Sequence, residues 1–346
     1  MRVLARITQI DNVRTHPNAD LLDLCMIGGW QVVSKRGEFK AGDYALYFEV
    51  DSWIPNAVAP FLSKGQPPKE YNGVLGERLR TVRLRGEVSQ GLLLPIDSCL
   101  AAKAAFHTTR PVTPGVPDEI DVTSLLGIQK YEAPIPACLA GKVRGNFPSV
   151  FPKTDEERIQ NLTRKLPQLV TERYEVTEKL EGSSMSVAMI DGEFVVCSRN
   201  LNLSETADNS LWQQARHYKI EEKMRELALD NIAIQGEIIG NGVEGNHYGL
   251  IGHDFYVYSA YDIKAAKYVG PNERRELVAK LGLKHVPVVS ECFIFDADTK
   301  VDAILALADG KSAIAPTKLR EGLVFKSLDS QAHWKAVSNE YLLKHG

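Results

Sequence analysis

Short runs rich in β-branched and aromatic residues recur along the first third of the chain: LLDLCMIGGWQVV, GDYALYFEV, RLRTVRLRG and GLLLPI. Turn-forming Gly, Pro, Asn and Asp residues separate them, a spacing that predicts a small all-β unit, a barrel or sandwich, over residues 1–125. The next stretch, YEAPIPACLAGKVRGNFPSVFPKT, is rich in Pro and Gly and has no period, so residues 126–150 read as a connector. TDEERIQNLTRKL then opens with the capping pair Thr154 and Glu157 and predicts a helix at the head of a second domain, residues 151–346.

Strand and helix patterns mix in that second domain. SSMSVAMIDGEFVVCSRN predicts a hairpin turning at Asp191-Gly192, and NIAIQGEIIG, DFYVYSAYDI and REGLVFKS predict further strands. NSLWQQARHYKIEEKMRELALD, PNERRELVAKLG and DTKVDAILALADG have helical length, and the last two end at Gly282 and Gly310. For the first domain, a barrel of the OB-like kind is the expected form.

Composition narrows the class. At 346 residues and 44% hydrophobic, the chain has material for two or three packed cores. No apolar run approaches a membrane span, and MRVLARITQI does not resemble a signal peptide, so a cytoplasmic protein with no membrane partner is expected. Five dispersed cysteines (Cys25, Cys99, Cys138, Cys197, Cys292) form no C-x-x-C pair and give neither a disulfide framework nor a cysteine zinc site. The net charge is −3, so a polyanion must be met by a local patch. ERLRTVRLRGE offers one: Arg78, Arg80, Arg83 and Arg85 would stand two to each face of a single strand.

The candidate chemistry centres on YEVTEKLEGSS. Strand alternation puts Glu175, Thr177, Lys179 and Glu181 on one face, just before a glycine that admits close approach. A free lysine has a pKa of about 10.4, so only about 0.1% is nucleophilic near neutral pH. Flanking acids make it no more nucleophilic unless they hold a metal or substrate. Downstream, SRN carries Arg199, QGE carries Glu237, REGLVFK carries Glu321 and Lys326, and HWKAV carries Lys335. One potential nucleophile, three carboxylates (Glu181, Glu237, Glu321) able to order Mg²⁺ through its waters, and three cations suit the phosphates of a nucleotide.

With these fragments in this order, residues 150–346 resemble the covalent nucleotidyltransferase superfamily of ATP-dependent ligases and capping enzymes, whose nucleophile motif K-x-[DE]-G is KLEG here, Lys179 to Gly182. Glu178 before the lysine, the run GNGVEGNHYGL and the phrase DFYVY look like RNA ligases. DSWIPNAV, GEFKAGDYALYFEVDS and RLRGEVSQGLLLP look like the N-terminal OB module of RNA ligase family five, the Deinococcus and Naegleria type. The fold implied is α+β: an N-terminal OB-like β-barrel, then an α/β nucleotidyltransferase (adenylyltransferase) domain built on antiparallel sheets.

The resemblance implies a lysyl-AMP on Lys179, passage of AMP to a 5′-phosphate end, and sealing to a 3′-OH, with ATP and Mg²⁺ or Mn²⁺ as cofactors. The partner implied is nucleic acid, RNA ends in a nicked duplex, handled by a monomer. It assigns Glu181, Glu237 and Glu321 to the metal through water, Lys335 and Lys326 to phosphate, Arg199 to ribose or phosphate, and Glu178 to adenine. Tyr258 or Tyr261 would stack on the base, and the arginines of the OB region would contact nucleic acid. Two positions depart from the family: Val337 stands where relatives often have a second lysine, and Glu181 where many have Asp. Lys326, counted along a regular strand from Glu321, falls on the opposite face. His16, His247, His253 and His333 lack metal spacing and read as core or surface residues. A capping-type guanylyltransferase and a non-catalytic RNA-binding descendant are the competing functions.

Overall fold

A computed structural model describes residues 3–108, 119–131 and 143–345. It divides into two compact units, residues 1–134 with 343–346, and residues 135–342.

The first unit is built from short antiparallel strands. Leu92–Pro95, Tyr44–Phe48, Ala5–Gln9 and Ile120–Asp121 form one sheet, and Asn12–Thr15, Leu22–Ile27 and Trp30–Lys35 a second. Gln129–Lys130, Ser52–Pro55, Val74–Arg78 and Lys69–Tyr71 form a third. Alternation along these strands sends Ile7, Leu46, Phe48 and Ile54 into one core and Cys25, Trp30, Val32 and Tyr47 into another. The strand expected across all four arginines is broken. Val74–Arg78 and Val82–Leu84 are separate because Leu79 and Thr81 turn inward and are buried.

The second unit stacks helices on two sheets. Val143–Asn146, Leu201–Leu203, Glu193–Cys197, Ser183–Ile190, Ile232–Gly240, His253–Asp262 and Lys267–Tyr268 run in that spatial order, and Lys284–His285 pairs beside His253–Asp262. The helices Ser210–His217, Ile220–Glu226 and Pro271–Lys280 bury the apolar face of this sheet, where Met185, Val187, Ile234, Phe255 and Val257 meet Trp212, Met224 and Val278. The other sheet orders Glu157–Arg158, His333–Val337, Gly322–Ser327, Arg173–Lys179 and Val288–Ile294. The helix Val301–Ala308 packs on its apolar face against Tyr174, Phe325 and Trp334.

Three local expectations change. Glu157–Arg158 is a short strand parallel to Trp334–Lys335, and Thr154 bonds Ser184 rather than capping a helix; Arg158, Ile159 and Gln160 are all buried, a continuous inward run that an amphipathic helix would not give. The long helix expected from residue 209 breaks in two at Lys219, whose φ is 51°. The connector holds strands at Gln129–Lys130 and Val143–Asn146, while residues 132–142, with Cys138, lie outside the described residues. The hairpin at Asp191-Gly192 forms as its sequence indicates, with φ of 48° and 81°. No helix among the described residues is long and apolar enough to cross a membrane.

Candidate active site

Lys179 is the last residue of its strand, and the chain then crosses from the five-stranded sheet into the larger one. Ladder pairing stops at Lys179 opposite Gly322 and restarts at Ser183 opposite Ile238. Gly182 makes the crossing possible. A Cβ there would lie 2.4 Å from the Ile238 carbonyl oxygen and 2.9 Å from Glu237 Cγ, so only glycine lets this turn close on the strand that carries Glu237.

Register places further groups on the face of Lys179. Glu175 pairs with Lys326, Thr177 with Val324, and Lys335 with Val324 from the next strand. Lys326 therefore shares the face of Lys179. Its expected placement on the opposite face fails because Glu321 precedes the strand Gly322–Ser327 and does not set its alternation. Glu178 points the other way, opposite Leu323, where its Oε2 accepts from Ala313 N at 2.8 Å. Its Oε1 is buried without a hydrogen-bond partner.

Two carboxylates, Glu321 and Glu237, lie near the amine. Lys179 Nζ lies 2.6 Å from Glu321 Oε2. Burial pushes the Glu237 carboxyl up to about 8; the nearby Lys179 and Arg199 cations oppose this and Glu321 adds to it. Glu181 is also raised, by burial and by Glu321. This acid excess in a partly buried space is what a divalent cation would offset. Among the described residues no group of three His, Cys, Asp or Glu is close enough to hold a metal directly.

The remaining candidates divide between the site and other work. Tyr258 sits beside Ser184, hydroxyl to hydroxyl 3.4 Å, and its carbonyl accepts from Lys326. An extra residue at the bulge by Gln235 and Gly236 turns it toward this space. Tyr261 packs instead in a cluster with Phe151 and Ala188. Burial, with the Arg274 cation, draws the Lys326 amine down to about 7, against Glu156 and Glu175. Arg199 is half-exposed and pairs with Asp155 at 2.5 Å. Val337 is buried in the row of Lys179 and Gly322, so no second lysine stands there. In the first unit, Arg78 is committed to Asp51 at 2.7 Å and lies over the Tyr131 ring. Arg80, Arg83 and Arg85 are exposed, the last two on the hairpin Val82–Leu84 with Glu87–Ser89.

Two groups beside Glu181 carry no signal in the strand pattern. His247 Nδ1 lies 3.2 Å from its Oε2, and the Tyr248 hydroxyl accepts from its backbone N–H at 2.7 Å. Both belong to the run GNGVEGNHYGL, which was legible as a motif but not as a brace.

An RNA ligase family model matches residues 172–344, and an OB-fold domain model matches residues 4–96. A Naegleria gruberi RNA ligase variant with AMP and Mn superposes with a TM-score of 0.88 at 42% identity, covering 99% of each chain. The same ligase with PPi gives 0.88 at 42% over 100% of this chain and 99% of that one, and a variant with ATP and Mn gives 0.87 at 42% over 99% of each. No curated protein matches. An RNA-ligase model spanning half the chain, an OB-fold match ahead of it and this whole-length likeness establish that the chain belongs to the RNA ligase family.

Proposed function

We propose that this protein is an ATP-dependent RNA ligase working through a lysyl-AMP on Lys179. The observation that carries it is the meeting of Lys179, Glu321 and Glu237 at the turn where the chain passes between its two sheets. The Lys179 amine attacks the α-phosphorus of ATP. An N–P bond forms, the bond to the bridging oxygen breaks, pyrophosphate leaves in line, and the amine proton passes to solvent. AMP then moves to a 5′-phosphate, and a 3′-hydroxyl displaces it to make the phosphodiester.

Glu181, Glu237 and Glu321 would hold Mg²⁺ or Mn²⁺ through water, and the cation would supply charge neutralisation at the phosphates. Lys335 stands on the face of Lys179 and meets the α-phosphate, and Lys326 shares that face, its lowered amine gaining a full charge beside a phosphate. Arg199, paired with an exposed aspartate, exchanges it for ribose or phosphate, since exposed pairs hold by about 1 kcal/mol or less. Glu178 offers its unpaired Oε1 to the adenine amino group, and Tyr258 stacks on the base.

The substrate is RNA ends, with a nicked duplex the preferred form and a monomer the working unit. Residues 1–125 serve as the nucleic-acid module, 126–150 as a linker and 151–346 as the catalytic domain of a cytoplasmic enzyme. Incubation with labelled ATP or GTP and Mn²⁺ tests this: adenylate on Lys179 is expected. Label from GTP alone would point to a capping-type guanylyltransferase, and no label from either to a non-catalytic RNA-binding protein. Sealing of all-RNA, RNA-to-DNA and all-DNA nicks then ranks the ends.

A further inference from the structure

We infer that His247 is a positioning residue for adenylation, acting on the nucleophile turn through Glu181; this rests on the lysyl-AMP chemistry proposed above. The three residues after Lys179 have no ladder partner, because pairing stops at Lys179 and resumes at Ser183. Something else must hold this turn. In-line attack tolerates little error, and a misplacement of about 1 Å costs roughly 10²-fold in rate.

His247 is placed to hold it. Its side chain is 4% exposed, with Nδ1 3.2 Å from Glu181 Oε2. That oxygen is buried and takes no hydrogen bond, so its contact with the ring is electrostatic; the Tyr341 hydroxyl also faces the Glu181 carboxylate. On the far side of the ring, Nε2 lies 2.8 Å from the carbonyl oxygen of Leu319, two residues before Glu321. One ring thus links the segment after the nucleophile to the segment that delivers its carboxylate partner. Tyr248 adds a second tie, its hydroxyl accepting from Glu181 N at 2.7 Å. Edge contacts with the Tyr248 and Tyr341 rings, centroids 4.9 and 5.6 Å away, fix the plane of the imidazole.

The two sides of the ring can be separated by substitution. Asn places an amide near the Nδ1 position and keeps the Glu181 contact, whereas Gln places one near Nε2 and keeps only Leu319. In single-turnover adenylation by the full chain with ATP and Mn²⁺, His247→Gln is expected to slow the step about 10- to 100-fold. His247→Asn should stay within about 3-fold, with ATP affinity little changed in both. His247→Gln combined with Glu181→Gln should be no slower than Glu181→Gln alone. Equal rates for the Asn and Gln variants, or additive losses in the double variant, would overturn the inference. If His247→Gln does not fold, His247→Leu, which fills the site and removes both ring contacts, must slow adenylation at least 10-fold where His247→Asn does not, or the inference fails. Wild-type protein that forms no adduct would sink the ligase chemistry itself, a separate outcome.

Discussion

The amine of Lys179 and the carboxylate of Glu321 lie 2.6 Å apart, brought together because Lys179 ends one strand opposite Gly322, the first residue of the next. The nucleophile rests in an ion pair that nucleotide binding must open. Lys179→Ala is expected to abolish protein-AMP formation from ATP while costing less than about 1 kcal/mol of stability, the range of a partly solvated pair. Gel detection of labelled adduct with parallel urea unfolding checks both. A variant that still takes label would remove Lys179 from the mechanism.

Gly182 tests the geometry rather than the chemistry. A methyl group there meets backbone at 2.4 Å, so Gly182→Ala must push the turn away from Ile238 and Glu237. A loss of about 1–3 kcal/mol and at least a 10-fold slower adenylation are expected. Wild-type rates would mean the turn need not close on Glu237.

Glu237 sets a pH dependence. Its carboxyl is raised to about 8 from 4.5, so the folded chain holds a proton that the unfolded chain releases between those values. Stability in metal-free buffer should therefore fall, through this group, as pH rises from about 4.5 through 8. Glu237→Gln should flatten that part of the curve, and Mn²⁺ should raise the melting midpoint more at pH 8 than at pH 5.5. A difference curve between wild type and variant that stays level would contradict the assignment.

Motif order picked out Lys179, Glu237 and Glu321, and strand period gave the alternation around Lys179 and Glu237, while Glu321 stands just ahead of its strand. What alternation could not supply was register and termination. Lys326 changed faces because Glu321 lies outside its strand, and Glu178 points away from Lys179 because neighbours in a strand must. The helix expected at Thr154 gave way to a parallel pairing with Trp334 and Lys335, a contact between distant segments that no local signal announces. The brace on Glu181 was hidden for the same reason.

Arg78 and the hairpin arginines should behave differently despite their proximity in sequence. Arg78 is tied to Asp51 and Tyr131, so Arg78→Ala should lower stability by about 1 kcal/mol. Arg83→Ala with Arg85→Ala should leave the melting midpoint unchanged, weaken RNA binding and reduce its salt slope by about 1 for each arginine that meets a phosphate. Binding titrations at several salt concentrations decide; unchanged slopes would leave the hairpin without a role in RNA binding.

Lys326 offers the opposite sign to Glu237. Its amine is drawn down to about 7 from 10.5, so between those values the unfolded chain binds a proton that the folded chain does not. Through this group stability rises with pH across that window, because protonating the buried amine costs folding free energy below it. Lys326→Met keeps the volume and removes the charge, so the variant should exceed wild type in stability at pH 6.5 by roughly 1 kcal/mol or more, with the gap closing toward pH 9. Tyrosines and buried thiols titrate in the same alkaline range, so the difference between the two proteins is the quantity to follow, not either curve alone. A gap that widens with pH would mean the amine stays charged in the fold, held by Glu156 and Glu175 more strongly than burial opposes it.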